Sequence, residues 1–253
     1  MKAFLKKEWM EWYRTGRLLI LALVFTLFGV MNPAVAKLTP WIMETLSESL
    51  AETGILTASV SVDAMSSWAQ FYKNFPVGLM IVILICSGSF TTEYQKGTLI
   101  PVVAKGMPRF KIVLAKWMIA LLVWTALHLL CFGITYAYNA YFWDNGIATH
   151  LCFAVVLAWL FGVWALTFLV FFSSIAQSST QVLLGTGGMV LIAYLLNMFP
   201  KAGVFLPIRL MDGMSVLQGV EMPKDYYASM AVTGGTVVLL VALSVVCFGR
   251  KRL

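Results

Sequence analysis

Of the 253 residues, 60% are hydrophobic and only 11% are charged, far from the roughly 45–50% apolar and 25% charged of a soluble domain. That composition excludes a water-soluble fold and leaves no loop large enough for a separate domain, so residues 1–253 are read as one membrane domain. The formal charge of +7 is concentrated at the N-terminus, in one central loop and in the last residues, a pattern that suits anionic lipid headgroups and argues against a nucleic-acid partner.

In chain order, residues 1–17 come first. Leu5, Trp9, Trp12 and Tyr13 form an apolar stripe at helical spacing, with Lys2, Lys6, Arg14 and Arg17 elsewhere. This predicts an interfacial helix lying along a leaflet before the first span. The lysines, the apolar run and Ala34-Val35-Ala36 imitate a cleavable signal peptide, but the long aromatic lead and Asn32-Pro33 favour a retained segment.

A hydrocarbon core needs about 20 apolar residues per helix, and six stretches meet or approach this: 18–36, 75–90, 117–138, 151–172, 182–199 and 229–248. None contains Asp, Glu, Lys or Arg. The expected fold is therefore an all-α integral membrane protein with six transmembrane helices. Thirteen of the 18 Lys and Arg residues fall in 1–17, 91–116 and the tail, so the positive-inside rule places both termini in the cytoplasm of a multi-pass cell-membrane protein. On the opposite side, 37–74 is an acidic loop with a possible surface helix over 41–50. Residues 139–150 are a tight turn, and 200–228 are rich in Pro and Gly around a possible short helix near 210–217.

The cysteines Cys86, Cys131, Cys152 and Cys247 lie in or beside apolar runs without C-x-x-C spacing, so they read as small buried hydrophobes and not as disulfides or metal ligands. There is no G-x-x-x-x-G-K-[ST] phosphate loop, so no ATP cradle of that kind and no catalytic role are expected of this chain. Gly185, Gly187 and Gly188 read as close helix packing. His128 reads as a neutral, hydrogen-bonded group between helices, and Ser173 and Ser174 as helix-end residues. Carboxylates are absent from the spans, whereas ion-driven carriers place them on the path. Energy for transport would then enter from outside the membrane, and 91–116 is the inner segment large enough to receive it.

That segment reads Thr91-Thr92-Glu93-Tyr94-Gln95-Lys96-Gly97-Thr98-Leu99, then Pro108-Arg109, and Lys116 at the start of the third span. It resembles the signature of ABC-2 type permeases, in which a Glu leaving the second span precedes a Gly-Thr pair and a short basic segment. The N-terminal amphipathic helix is similar to the family's elbow helix, and 200–228 to its outer helical segment. The resemblance implies an exporter permease that pairs with a second permease copy, as homodimer or heterodimer, and with cytosolic ABC ATPase subunits that carry the ATP and Mg. It implies that 91–116 forms a cytoplasmic coupling helix seated on the ATPase, with Glu93, Gly97, Thr98, Leu99, Lys105, Pro108, Arg109 and Lys116 as its coupling residues. Glu93 could otherwise hold Lys96 or Arg109 and only shape the loop.

The aromatic, uncharged spans suit an amphipathic or lipid-like cargo, as in the family's phenol-soluble modulin exporters. The competing classes are an ion-coupled or passive transporter and a non-transporting membrane immunity or scaffold protein.

Overall fold

The computed structural model describes residues 2–51, 62–199 and 203–251, with side chains omitted for 46–51. Among them there are helices and no strands, and six helical segments are long and apolar enough to cross a membrane. Helix α1 spans Lys2–Arg14. Gly16, at φ +70°, turns the chain into α2, Arg17–Ala51. Helix α2 continues through Pro33 and Pro40, so 41–50 belongs to the first span's own helix and is not a separate surface helix.

Helix α3, Ala64–Cys86, begins well before residue 75 because Asp63 caps it, accepting a hydrogen bond from the Ser66 amide at 3.0 Å. An Asp at this position supplies one of the acceptors that the first helical turn lacks. Phe71 and Tyr72, which lengthen the short second span, are buried helical residues, and so is Trp68, which the hydropathy pattern leaves in the outer loop.

After a break at Ser87 come α4, Gly88–Gln95, and α5, Ile100–Ala104. Helix α6 runs Arg109–Phe142, α7 Leu151–Ile175 and α8 Ser179–Leu196. A 3-10 turn, Pro207–Met211, precedes the short α9, Gly213–Leu217. A second, Pro223–Tyr226, leads into α10, Tyr227–Arg250.

Helix α7 is the axis of the bundle. It packs on α6, α8 and α10, while α2 packs on α3 and α6. The most apolar stretch of α7 is 72% buried within the protein and that of α8 only 17%, so α8 packs on one side and exposes about half of its residues.

Packing is tightest where a glycine meets a ring: a Cβ on Gly162 would lie 2.1 Å from the Trp124 indole. In α8 only Gly185 behaves this way, against Phe172, because Gly187 and Gly188 have no neighbouring atom within 4 Å of a built Cβ. The expected small-residue packing thus holds for one of the three.

The segment over 203–226 closes one end of the bundle. Leu210, Val216, Leu217 and Tyr226 are fully buried. Thr149 Oγ1 donates to the Val216 carbonyl at 2.6 Å, and Tyr226 donates to the Asp212 carbonyl at 2.8 Å. These bonds tie the turn before α7 to α9 and to the start of α10.

Inside the bundle, polar groups are neutral and chained. Asn74 on α3 donates to Asn32 on α2 at 2.8 Å, Asn32 donates to Thr135 on α6 at 3.0 Å, and Thr135 donates to the Gly29 carbonyl at 3.2 Å. His128, on the same face of α6, is buried with Nε2 3.1 Å from the Val155 carbonyl, so it is a hydrogen-bonded histidine between helices. Cys131 follows three residues later and lines the same small cavity with Asn74. That neighbour was readable in the sequence and passed over.

Candidate functional site

The segment singled out by its sequence, 91–116, folds as two short helices set between glycine turns. Helix α4 buries Phe90, Thr91 and Glu93 and ends in a Schellman motif. The Thr98 amide donates to the Glu93 carbonyl and the Gly97 amide to the Tyr94 carbonyl, both at 3.1 Å, with Gly97 at φ +64°. Helix α5 ends the same way. Gly106, at φ +85°, donates to the Val103 carbonyl at 2.9 Å, and Met107 donates to Val102 at 3.4 Å. Only glycine adopts this left-handed backbone without a Cβ penalty, so both ends of α5 have defined geometry. Pro108, with extended backbone, then starts α6.

Between the turns α5 buries none of its residues. Leu99 anchors it from beneath at 1% exposure, whereas Thr98, Ile100, Pro101, Ala104 and Lys105 are exposed.

The roots of this loop are electrostatic. Glu93 is buried, and its partners are Lys7 on α1 and Lys116 on α6, not Lys96 or Arg109. Lys116, only 5% exposed, donates to Glu8 Oε2 at 2.9 Å and to the Ser89 carbonyl at 3.1 Å. It meets Glu93 Oε2 at 2.8 Å as an ion pair too oblique to count as a hydrogen bond. Its ammonium also lies 5.1 Å from the centroid of the Phe90 ring.

Lys7 contacts Glu93 and lies 3.0 Å from both Glu8 and Glu11. Partial burial works against its charge, but the contacts with Glu93, Glu8 and Glu11 outweigh this and raise its pKa above the ordinary lysine range. The carboxylates of Glu8, Glu11 and Glu93 approach one another within 4.8 Å, a spacing that could suit a metal cation. The Lys7 ammonium already neutralises that place.

A buried pair that loses one partner leaves an uncompensated charge, at a cost of about 3–5 kcal/mol. The cluster therefore holds α1, α4 and α6 together firmly. The C-terminus joins the same end of the bundle. Arg109 donates to the Gly249 and Lys251 carbonyls at 3.0 and 2.5 Å. Lys251 lies 3.9 Å from the centroid of the Tyr94 ring and donates to the Ala176 carbonyl at 2.5 Å. Gln95 reaches the Gln177 carbonyl at 3.4 Å, in the turn between α7 and α8.

The eight residues named from the motif thus separate into three groups. Thr98, Lys105 and Pro108 are exposed at the loop. Gly97 and Leu99 shape it, one by conformation and one by burial. Glu93, Lys116 and Arg109 bind it to other elements.

Sequence reasoning passed over Glu8 and Lys7. Glu8 lies between Phe4 and Trp12, and these three make the buried face of α1, while Trp9 and Tyr13 of the anticipated stripe are 44% and 75% exposed. The available signal was an acid four residues after Phe4 and four before Trp12, on one helical face with both.

One apolar groove of about 590 Å³ opens between α3 and α8. Pro76, Met80 and Leu84 line one wall, Gly187, Leu191 and Tyr194 the other, and Ile208 and Met211 sit at its end.

Six helices long and apolar enough to cross a membrane, a bundle organised on α7 and a basic end with a glycine-bounded loop define the class as an all-α membrane protein. The chain belongs to the ABC-2 family transporter proteins, whose sequence pattern matches residues 3–219. It is also similar to YxlG of Bacillus subtilis (strain 168), described as an uncharacterized transmembrane protein, with 21% identity over 214 residues that cover 83% of this chain and 81% of that one. The chain is therefore a membrane transport protein of a permease family.

Proposed function

We propose that this chain is the permease subunit of an ATP-driven exporter, working with a second permease copy and with cytosolic ABC ATPase subunits that bind the ATP and Mg. In this reading the end that bears α1, α5 and the C-terminus faces the cytoplasm, and α9 lies outside. The exposed α5, fixed between two left-handed glycine turns and rooted in buried charge, is the observation that carries the proposal. A short rigid projection of that kind fits a groove on an ATPase and can transmit its movement. Thr98, Lys105 and Pro108, with Ile100 and Pro101, form the contact surface, and Glu93, Gly97, Leu99, Arg109 and Lys116 set its position.

The groove between α3 and α8 is almost wholly apolar, which favours an amphipathic or lipid-like cargo over a polar sugar or an ion.

The test is purification of the tagged chain from its native membrane. An ATPase should accompany it, hydrolysis should require the complex, and Ile100→Asp should release the ATPase while the chain remains inserted. Cysteines placed singly at Thr98 and Gln218, in a background without native cysteines, should differ toward an impermeant thiol reagent in intact cells. Labelling at Gln218 and protection at Thr98 are expected, and the opposite result would invert the orientation.

A further inference from the structure

We infer that the pocket where α6 turns into α7 is a binding site for the primary ammonium of a phospholipid headgroup, with Asp144 as the anion and Tyr136 and Trp143 as the aromatic wall. The site lies apart from the groove between α3 and α8. It does not depend on which end of the bundle faces the cytoplasm.

The pocket encloses about 400 Å³, and its lining includes Tyr136, Trp143, Asp144, Asn145, Leu151 and Cys152. Asp144 is the only Asp, Glu, Lys or Arg in that lining. Its Oδ1 accepts from the Gly146 amide at 2.8 Å, which fixes the carboxylate, while Oδ2 has no hydrogen-bond partner among the described residues. Asn145 holds the wall in place, donating to the Tyr136 carbonyl at 3.1 Å and accepting from the Trp68 indole at 3.3 Å.

A carboxylate oxygen beside two aromatic residues offers a cation a charge-assisted hydrogen bond together with attraction to the rings. A primary ammonium can use both, because it carries N–H donors that a choline headgroup lacks. The same stretch already holds one ammonium. Lys37 Nζ lies 3.6 Å from the centroid of the Phe142 ring, and that ring is 5.8 Å from the ring of Trp143.

Depth selects a lipid as the source of the amine. Lys116 belongs to the basic end of α6, and at about 1.5 Å per residue Tyr136 stands about 30 Å and Trp143 about 40 Å further along. The first distance crosses a hydrocarbon core and the second reaches the opposite headgroup layer. Tyr136, Tyr138 and Tyr141 are exposed at this level, as in the aromatic belts of membrane proteins. A belt alone prefers no headgroup, whereas a carboxylate prefers an amine. A headgroup seated here joins the leaflet to the segment that closes this end, since Thr149 in the same turn donates to the Val216 carbonyl.

Cys152 is a native reporter, exposed and in the lining, whereas Cys86 and Cys131 are buried. Cys247 is half-buried and is replaced by Ser. The full chain is placed in nanodiscs of phosphatidylglycerol alone, or mixed with an equal share of phosphatidylethanolamine or of phosphatidylcholine. The rate of Cys152 modification by a neutral maleimide is then measured, the phosphatidylcholine discs controlling for surface charge.

Phosphatidylethanolamine should slow labelling by about two- to fivefold relative to both other discs, the effect of one exposed cation–ring contact. Asp144→Asn, which keeps an acceptor for the Gly146 amide, should abolish that protection, and Tyr136→Leu should weaken it. Asp63→Asn removes an acid from the same end and still caps α3, so it should leave protection intact. Should Asp144→Asn fail to accumulate, Tyr136→Leu carries the test. Equal rates in the phosphatidylethanolamine and phosphatidylcholine discs overturn the inference, as does protection that persists in both pocket variants. Free ethanolamine should not protect Cys152 in phosphatidylglycerol discs, and protection as strong as the lipid's would overturn the lipid assignment.

Discussion

Two polar junctions hold this bundle, and they are built from different chemistry. At the basic end, Lys116 joins α1, α4 and α6 with full charges. Toward the other end of α6, Asn32, Asn74 and Thr135 join α2, α3 and α6 with neutral groups. Both use α6 as the common post.

The difference follows from the surroundings. The charged junction has Lys7 beside it with its side chain 43% exposed, so part of the cluster is hydrated. In the amide chain Asn32 and Thr135 are fully buried and Asn74 half-buried, and there an isolated charge would be expensive while an amide can still satisfy its neighbours. Firm coupling belongs at the edge, where ions are tolerable. At the amide junction, neutral hydrogen bonds hold helices in register and can be exchanged more easily during movement.

The comparison is broken most severely at Lys116. Lys116→Met leaves Glu8 without its principal partner and removes one of the two ammoniums at Glu93, and it should destabilise the chain by about 3–5 kcal/mol, measured as a lower unfolding midpoint in detergent. A loss under about 1 kcal/mol would mean that the junction is solvated and is not a lock.

Gly97→Val should cost about 1–2 kcal/mol by forcing a β-branched residue into the left-handed region. The added Cβ would make only ordinary contact with Ile100, at 3.6 Å, so the effect is conformational. Insertion should therefore be nearly normal while ATPase stimulation falls. Equal stimulation by the variant would show that the angle of α5 does not matter.

Asn74→Leu is the mildest change. Hydrogen bonds between helices in a membrane are worth about 0.6 kcal/mol on average, so the unfolding midpoint should barely move. A loss as large as that of Lys116→Met would erase the distinction between the two junctions.

Much of the architecture was legible from composition. Apolar stretches without charge marked all six spans, because a bilayer judges each segment by its own residues. The boundaries were less legible. Hydropathy ended the first span before Pro40 and began the second at Phe75. The helices run further because Asp63 caps α3 and because Pro40 does not stop α2.

For the site, the turns at Gly97, Gly106 and Pro108 rest on backbone constraints that are local. Glu93 was singled out by the motif, but its partners were sought nearby in Lys96 and Arg109, whereas they are Lys7 and Lys116. Arg109 serves the C-terminal carbonyls instead, at 2.5 and 3.0 Å.

The sequence by itself determined the class of solvent, the number of spans and the turns of the loop, since each depends on a few consecutive residues. Only the tertiary structure decided that Lys116 meets Glu8 across 108 positions of chain, and that α1 turns Phe4, Glu8 and Trp12 inward while Trp9 and Tyr13 stay outside. Helical periodicity makes a face, but the choice of which face is buried belongs to the neighbours. Here the deciding neighbour was a buried ammonium, whose need for acceptors outweighed the exposure of two aromatic rings.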